Sequence, residues 1–113
     1  GGGDILRGVP ASTGKATGPA RIVTESEDLY QVKDGEILIC RITAPSWAPI
    51  FSRISAAVSD VGGMMAHTAI ISREYGLPAV VGVGFATATI QTGDVIEVDG
   101  DVGTVKILER ANG

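Results

Sequence analysis

Glycine is scattered along the whole chain, sixteen times in 113 residues, and this limits the fold more than any other feature. Glycine supplies positive φ and lets backbones approach closely, which short strands joined by tight turns demand. The chain therefore reads as turn-rich β structure with few helices. Ile5–Val9 and Pro19–Val23 are strand-like runs flanking Gly14 and Gly18. Ile37–Cys40 follows the turn signal Lys33–Asp34–Gly35. Val95–Val98, then Asp99–Gly100–Asp101, then Thr104–Leu108 predict a hairpin. The ends, Gly1–Gly3 and Ala111–Gly113, read as frayed, with no internal repeat or linker between them.

Two segments break the β pattern. In Ser46–Ile54, Ser46 is placed to cap a short helix, Pro49 falls in its first turn, and Ile50, Phe51 and Ile54 recur at helical spacing. That face is expected to pack on a sheet. Thr68–Tyr75, stopped by Gly76 and Pro78, predicts a helix of about two turns.

Size and charge exclude several classes. The length suits one domain and leaves little room for a second core. No stretch approaches the roughly 20 continuous apolar residues of a membrane span, and no basic-then-apolar leader opens the chain, so a cytoplasmic protein without membrane partners is expected. Cys40 is the only cysteine, which excludes an internal disulfide and a cysteine zinc cluster; it reads as a buried strand thiol. The net charge is −4, and six Arg and three Lys are scattered singly, so no basic stripe offers itself to nucleic acid.

The informative stretch is Ala56–Ala57–Val58–Ser59–Asp60–Val61–Gly62–Gly63–Met64–Met65–Ala66–His67. A small apolar strand runs into paired glycines and then into a histidine at the start of the second helix. Helix N-termini expose unpaired N–H groups and partial positive charge, so an anion formed on His67 would meet backbone donors. A phosphoryl group is such an anion, and a neutral imidazole carries the lone pair that a nucleophile needs. Gly62 and Gly63 would let backbone approach a bulky phosphate. Thr68 is the hydroxyl nearest the histidine, either a phosphate contact or a helix-start residue bonding its own backbone. Met64 and Met65 suit an adaptable docking surface or core filling. Arg73, six residues beyond His67, lies off the histidine's face and reads as a cation near the helix C-terminus. Trp47 reads as packing.

The run from Gly62 to Gly82, GGMMAHTAIISREYGLPAVVG, resembles the phosphohistidine signature of the phosphoenolpyruvate-utilising enzymes, whose members include phosphoenolpyruvate synthase, pyruvate, phosphate dikinase and phenylphosphate synthase. Thr43–Ala44–Pro45–Ser46–Trp47, and Gly93–Asp94 with Val98–Asp99–Gly100 and Gly103, resemble the family's stretches before the first helix and in the closing hairpin. A twenty-residue pattern is far more specific than a short glycine motif. The chain departs from many members at Met65–Ala66, where a threonine and a hydroxyl or thiol residue are usual. That removes regulatory phosphorylation at residue 65 and any hydroxyl contact from residue 66.

The resemblance implies an α+β fold, the swivelling β/β/α domain: one compact domain, residues 1–113, of short strands with two or three short helices, within a larger phosphotransferase. It implies that His67 is the phosphohistidine nucleophile, with Gly62, Gly63 and Thr68 around the phosphoryl group. His67 would shuttle that group between an ATP site and a phosphoenolpyruvate, pyruvate or other acceptor site. Those sites, with magnesium and ATP, would belong to a nucleotide-binding domain and an acceptor domain, in the same chain or in separate subunits. No cofactor or metal is expected in this domain, nor turnover by it alone. The rival is a non-catalytic regulatory or binding module of the same fold.

Overall fold

The computed structural model describes residues 4–111, arranged as eight strands and four short helical segments. The strands are β1 (Asp4–Arg7), β2 (Val9–Ser12), β3 (Lys15–Val23), β4 (Ile37–Cys40), β5 (Ala56–Ser59), β6 (Ala79–Val81), β7 (Val95–Asp99) and β8 (Thr104–Glu109). Two 3-10 helices, Ser26–Gln31 and Pro45–Ser52, join two α-helices, α1 (His67–Tyr75) and α2 (Ala86–Thr89). The resemblance had implied two or three helices.

The strand order is β1-β8-β7-β3-β4-β5-β6-β2. The long strand β3 is the joint between two halves. Its first residues, Lys15 to Pro19, pair antiparallel with β7, and its last, Ala20 to Val23, pair parallel with β4. β4, β5 and β6 run parallel, and β7 and β8 form the hairpin expected from Val95–Val98 and Thr104–Leu108.

Side chains on β4 alternate, as period-2 geometry requires. Ile37 and Ile39 join a core with Ile96 and Val98 of β7, Val105 and Ile107 of β8, and Ala86 and Ile90 around α2. Leu38 and Cys40 join the opposite core, with Trp47, Ile50, Phe51 and Ile54 and with Ala69 and Ile71 of α1. The parallel layer is thus covered by strands on one face and helices on the other, which is the β/β/α architecture. Burial on both faces explains why β4 and β5 read as unbroken apolar or small runs.

The expected strand Ile5–Val9 divides at Gly8. β1 pairs with β8 at one edge and β2 with β6 at the other, so chain neighbours lie at opposite edges and the sheet must curl until the edges meet. The Gly8 N–H donates to the Gly103 carbonyl at 2.9 Å across that seam. At Gly100 the backbones touch so closely that a Cβ would lie 1.8 Å from the Ser12 carbonyl oxygen. β1 and β8 also place Asp4 opposite Ile107, so the described chain enters and leaves side by side.

The segment expected as a helix over Ser46–Ile54 is a 3-10 helix, and its entry residue is the extended Ala44; Ser46 caps nothing. Pro45 sets the first turn, and Pro49 inside the segment removes the N–H an i→i−4 bond would need. Bonds from Trp47 N–H to Ala44 O and from Arg53 N–H to Ile50 O span three residues instead. The expected packing face is nonetheless buried, and so is Trp47, whose Nε1 donates to Ser26 Oγ at 3.0 Å. α1 ends as its sequence requires, with Gly76 in the left-handed region. Burial, and then the charge of Asp60, push the Cys40 thiol up to about 12. Ala111, expected to fray, donates its N–H to Asp94 Oδ1 at 2.8 Å; Gly1–Gly3 and residues 112–113 lie outside the described residues.

Candidate functional site

The site is built where the parallel strands β4 and β5 end. Beyond Cys40 and Ser59 the two chains stay together, since Asp60 N–H donates to Cys40 O at 3.0 Å and Val61 N–H to Arg41 O at 2.9 Å. This extension brings Thr43 beside the loop that carries His67. Thr43 Oγ1 lies 2.7 Å from His67 Nδ1 and 2.8 Å from Thr68 Oγ1. Thr43 and Thr68 are buried and the imidazole is half-buried. With Nδ1 engaged, Nε2 is the ring nitrogen without a hydrogen bond among the described residues.

His67 is the first residue of α1, one position earlier than its sequence suggested. Ala66 before it is extended and caps nothing with its side chain, so no side chain answers the first-turn N–H groups there. The first helical bond runs from Ile70 N–H to Ala66 O at 3.0 Å, and Ala66 N–H closes a turn onto Gly63 O at 3.0 Å. Gly62 has φ +125°, and a Cβ on it would lie 2.9 Å from the Ala66 Cβ. Gly63 needs neither positive φ nor space, because a Cβ there would meet nothing within 4 Å. The conformational demand read from the pair therefore falls on Gly62.

The structure corrects three sequence expectations here. Thr68 does not bond its own backbone; its hydroxyl meets Thr43. Arg73 is more than a cation at a helix end, for its guanidinium donates to Ala11 O at 2.9 Å and to Met64 O at 2.8 Å, tying the histidine loop to β2. Met64 and Met65 are exposed, the latter by 82%, which disposes of core filling.

Two residues that sequence reasoning missed hold the site together. Thr43 is one: the stretch Thr43–Trp47 carried part of the resemblance, but nothing local assigned its hydroxyl a role, as its partner lies 24 positions away. Asp60 is the other: its carboxyl oxygens accept from the N–H groups of Ala86 and Thr87 and, at 2.6 Å, from the Thr87 hydroxyl. An open cavity of about 340 Å³ lies alongside, lined by Pro10, Ala11, Ser12, Thr13, Met64, Arg73 and Gly76. His67 is not among its lining residues.

Fold and loop together define a β/β/α domain presenting one histidine at a helix start beyond the ends of parallel strands. Residues 32–103 match the family described as the PEP-utilising enzyme, mobile domain, and the chain belongs to that family. It is 47% identical over 101 residues to rifampicin phosphotransferase of Bacillus subtilis, covering 89% of this chain and 12% of that protein. It is 44% identical over 102 residues to phosphoenolpyruvate synthase of Aeropyrum pernix, again covering 89% and 12%. The chain thus spans about 12% of the length of these curated relatives, which are phosphotransferases. The crystal structure of Thermococcus kodakaraensis aconitase X has a TM-score of 0.73 over 95% of this chain and 100% of that chain, at 20% identity; that likeness is one of fold alone.

Proposed function

We propose that this domain is a phosphoryl carrier and that His67 Nε2 is the nitrogen that takes the group. The observation that carries the reading is the 2.7 Å contact of Nδ1 with Thr43, which holds the ring by one nitrogen and leaves the other to react. The lone pair of Nε2 attacks the terminal phosphorus of a nucleotide. The N–P bond forms as the phosphoanhydride P–O bond breaks, and the nucleoside diphosphate leaves with the bonding pair. Nδ1 keeps its proton throughout. The second transfer reverses the roles, with an acceptor oxygen displacing the imidazole.

Phosphoryl transfer is chiefly positioning and charge stabilisation. The uncapped start of α1 offers backbone N–H donors for the developing charge, and Gly62 holds the loop that sets His67 there. Thr68, buried against Thr43, helps to hold the residue that meets the ring. Nucleotide and magnesium are supplied by a nucleotide-binding domain. The acceptor is pyruvate, which becomes phosphoenolpyruvate, or the antibiotic class that the rifampicin relative's name states, bound by a further domain. Alone, this domain takes up one phosphoryl group and does not turn over.

Incubation with nucleotide and the nucleotide-binding part of the enzyme is expected to give one acid-labile, base-stable phosphoryl adduct. His67→Ala should abolish it with little change in the fold, since the ring is half-buried and makes one hydrogen bond. Label that survives this substitution, or that maps to Thr68 or Ser72, would sink the carrier reading.

A further inference from the structure

We propose that the open cavity beside the histidine loop is a binding site for a small phosphate monoester, separate from the nucleophile and independent of the carrier reading. Its volume of about 340 Å³ lies at the small end of the range that ligand pockets occupy. Arg73 lines it and brings a positive charge that no acid offsets. Lys15, Arg21, Arg53 and Arg110 each meet a carboxylate between 2.8 and 3.6 Å, whereas the Arg73 guanidinium meets the carbonyls of Ala11 and Met64. Those two bonds hold the group in place and use two of its N–H donors, and the remaining donors are free for an oxyanion.

Ser12 and Thr13 add two hydroxyls to the lining. Ser12 is only 8% exposed, yet its hydroxyl makes no hydrogen bond within the described chain. A nearly buried hydroxyl without a partner is costly, and the cavity is where this one finds its acceptor. No lining residue is acidic; Asp101, which accepts from Gly14 N–H at 3.0 Å, is not among them. A guanidinium and two hydroxyls with no carboxylate select an oxyanion. Three donor groups match the three terminal oxygens of a phosphate monoester, where a carboxylate offers two. Pro10, Ala11 and Met64 supply apolar wall for the alcohol part. His67 does not line the cavity, so the phosphate bound there is not the one the histidine would carry.

The chain has two methionines, and of these Met64 lines the cavity while Met65 does not. Spectra of the chain labelled with carbon-13 at the methionine methyls therefore hold a reporter and its own reference. Titration with butyl phosphate at constant ionic strength is expected to shift the Met64 signal along a saturable curve with a midpoint of about 1 mM or below, and to leave Met65 in place. Inorganic phosphate, which lacks the apolar part, and butanoate, which lacks the third oxygen, are each expected to bind about tenfold more weakly. Ser12→Ala should weaken butyl phosphate about threefold or more and Arg73→Gln about tenfold or more, while His67→Ala should bind as wild type does. A Met64 shift that does not saturate, affinity that survives both Ser12→Ala and Arg73→Gln, or butanoate as tight as butyl phosphate would overturn the proposal. So would loss of binding in His67→Ala, which would put the phosphate at the start of α1. Ser12→Ala decides the matter if Arg73→Gln, whose parent side chain also holds the histidine loop, does not fold. The titration needs no phosphoryl donor, so a failure of the carrier reading leaves its result standing.

Discussion

At residue 62 the backbone adopts φ +125°, a region that L side chains rarely enter, and a Cβ would press on the Ala66 Cβ at 2.9 Å. Gly62→Ala is therefore expected to cost about 1–3 kcal/mol in unfolding free energy and to displace His67. Gly63→Ala, with open space around it, should stay within about 0.5 kcal/mol of wild type. Urea denaturation of the two variants checks the contrast; equal losses would show that the demand is not local to Gly62. His67 and the glycines were legible because strand, glycine pair and helix start lie within one short window. Thr43 and Asp60 were not, since their partners are 24 and 26 positions away and no local pattern encodes a contact made only after two parallel strands have paired. The same holds for Arg73, whose acceptor at Ala11 is 62 positions off.

Among the elements, the legible ones were those whose two faces carry the same message. β4 is buried on both sides and reads as an unbroken apolar run; α1 has a glycine in the left-handed region at its end and a proline beyond it. α2 was missed for the opposite reason. Four residues are far too few to sustain a helix in isolation, and nothing in Ala86–Thr89 itself asks for one. It persists because Ala86 and Ile90 are buried and because Asp60 receives its first N–H groups. An Asp60→Asn substitution offers one carbonyl oxygen and an NH2 group that faces existing donors. A loss of about 1–3 kcal/mol is expected, together with faster hydrogen exchange at Ile90 than at β4. Protection of Ile90 that is unchanged in this variant would mean that packing alone holds α2.

For the whole molecule, acid should be the weak side. Burial alone would push the Glu36 carboxyl up, but the forked bond from Arg21, at 2.9 Å to each oxygen, the Lys33 N–H at 2.7 Å and the Arg21 charge outweigh it. Its value is held below the ordinary glutamate range. Asp94 behaves alike: burial is outweighed by the Ala111 and Gln91 N–H groups and by Arg110. Groups depressed in the native state stabilise it fully above their unfolded values, and that stability drains away as pH falls through the native ones. The urea midpoint is expected to fall steeply in that acid window. In Glu36→Gln and Asp94→Asn it should start lower at neutral pH and fall less. Slopes matching wild type would assign the acid lability elsewhere.

The pairing of Asp4 with Ile107 fixes where the described chain starts and stops relative to the histidine loop. β1 and β8 bring the two ends of the described chain together at the level of Val95 and Pro19, near the beginnings of the parallel strands, whereas Thr43 and the Gly62 loop leave from their far ends. The two ends of the described chain thus lie at one pole of the body and the histidine loop toward the other, within a longest dimension of 35 Å.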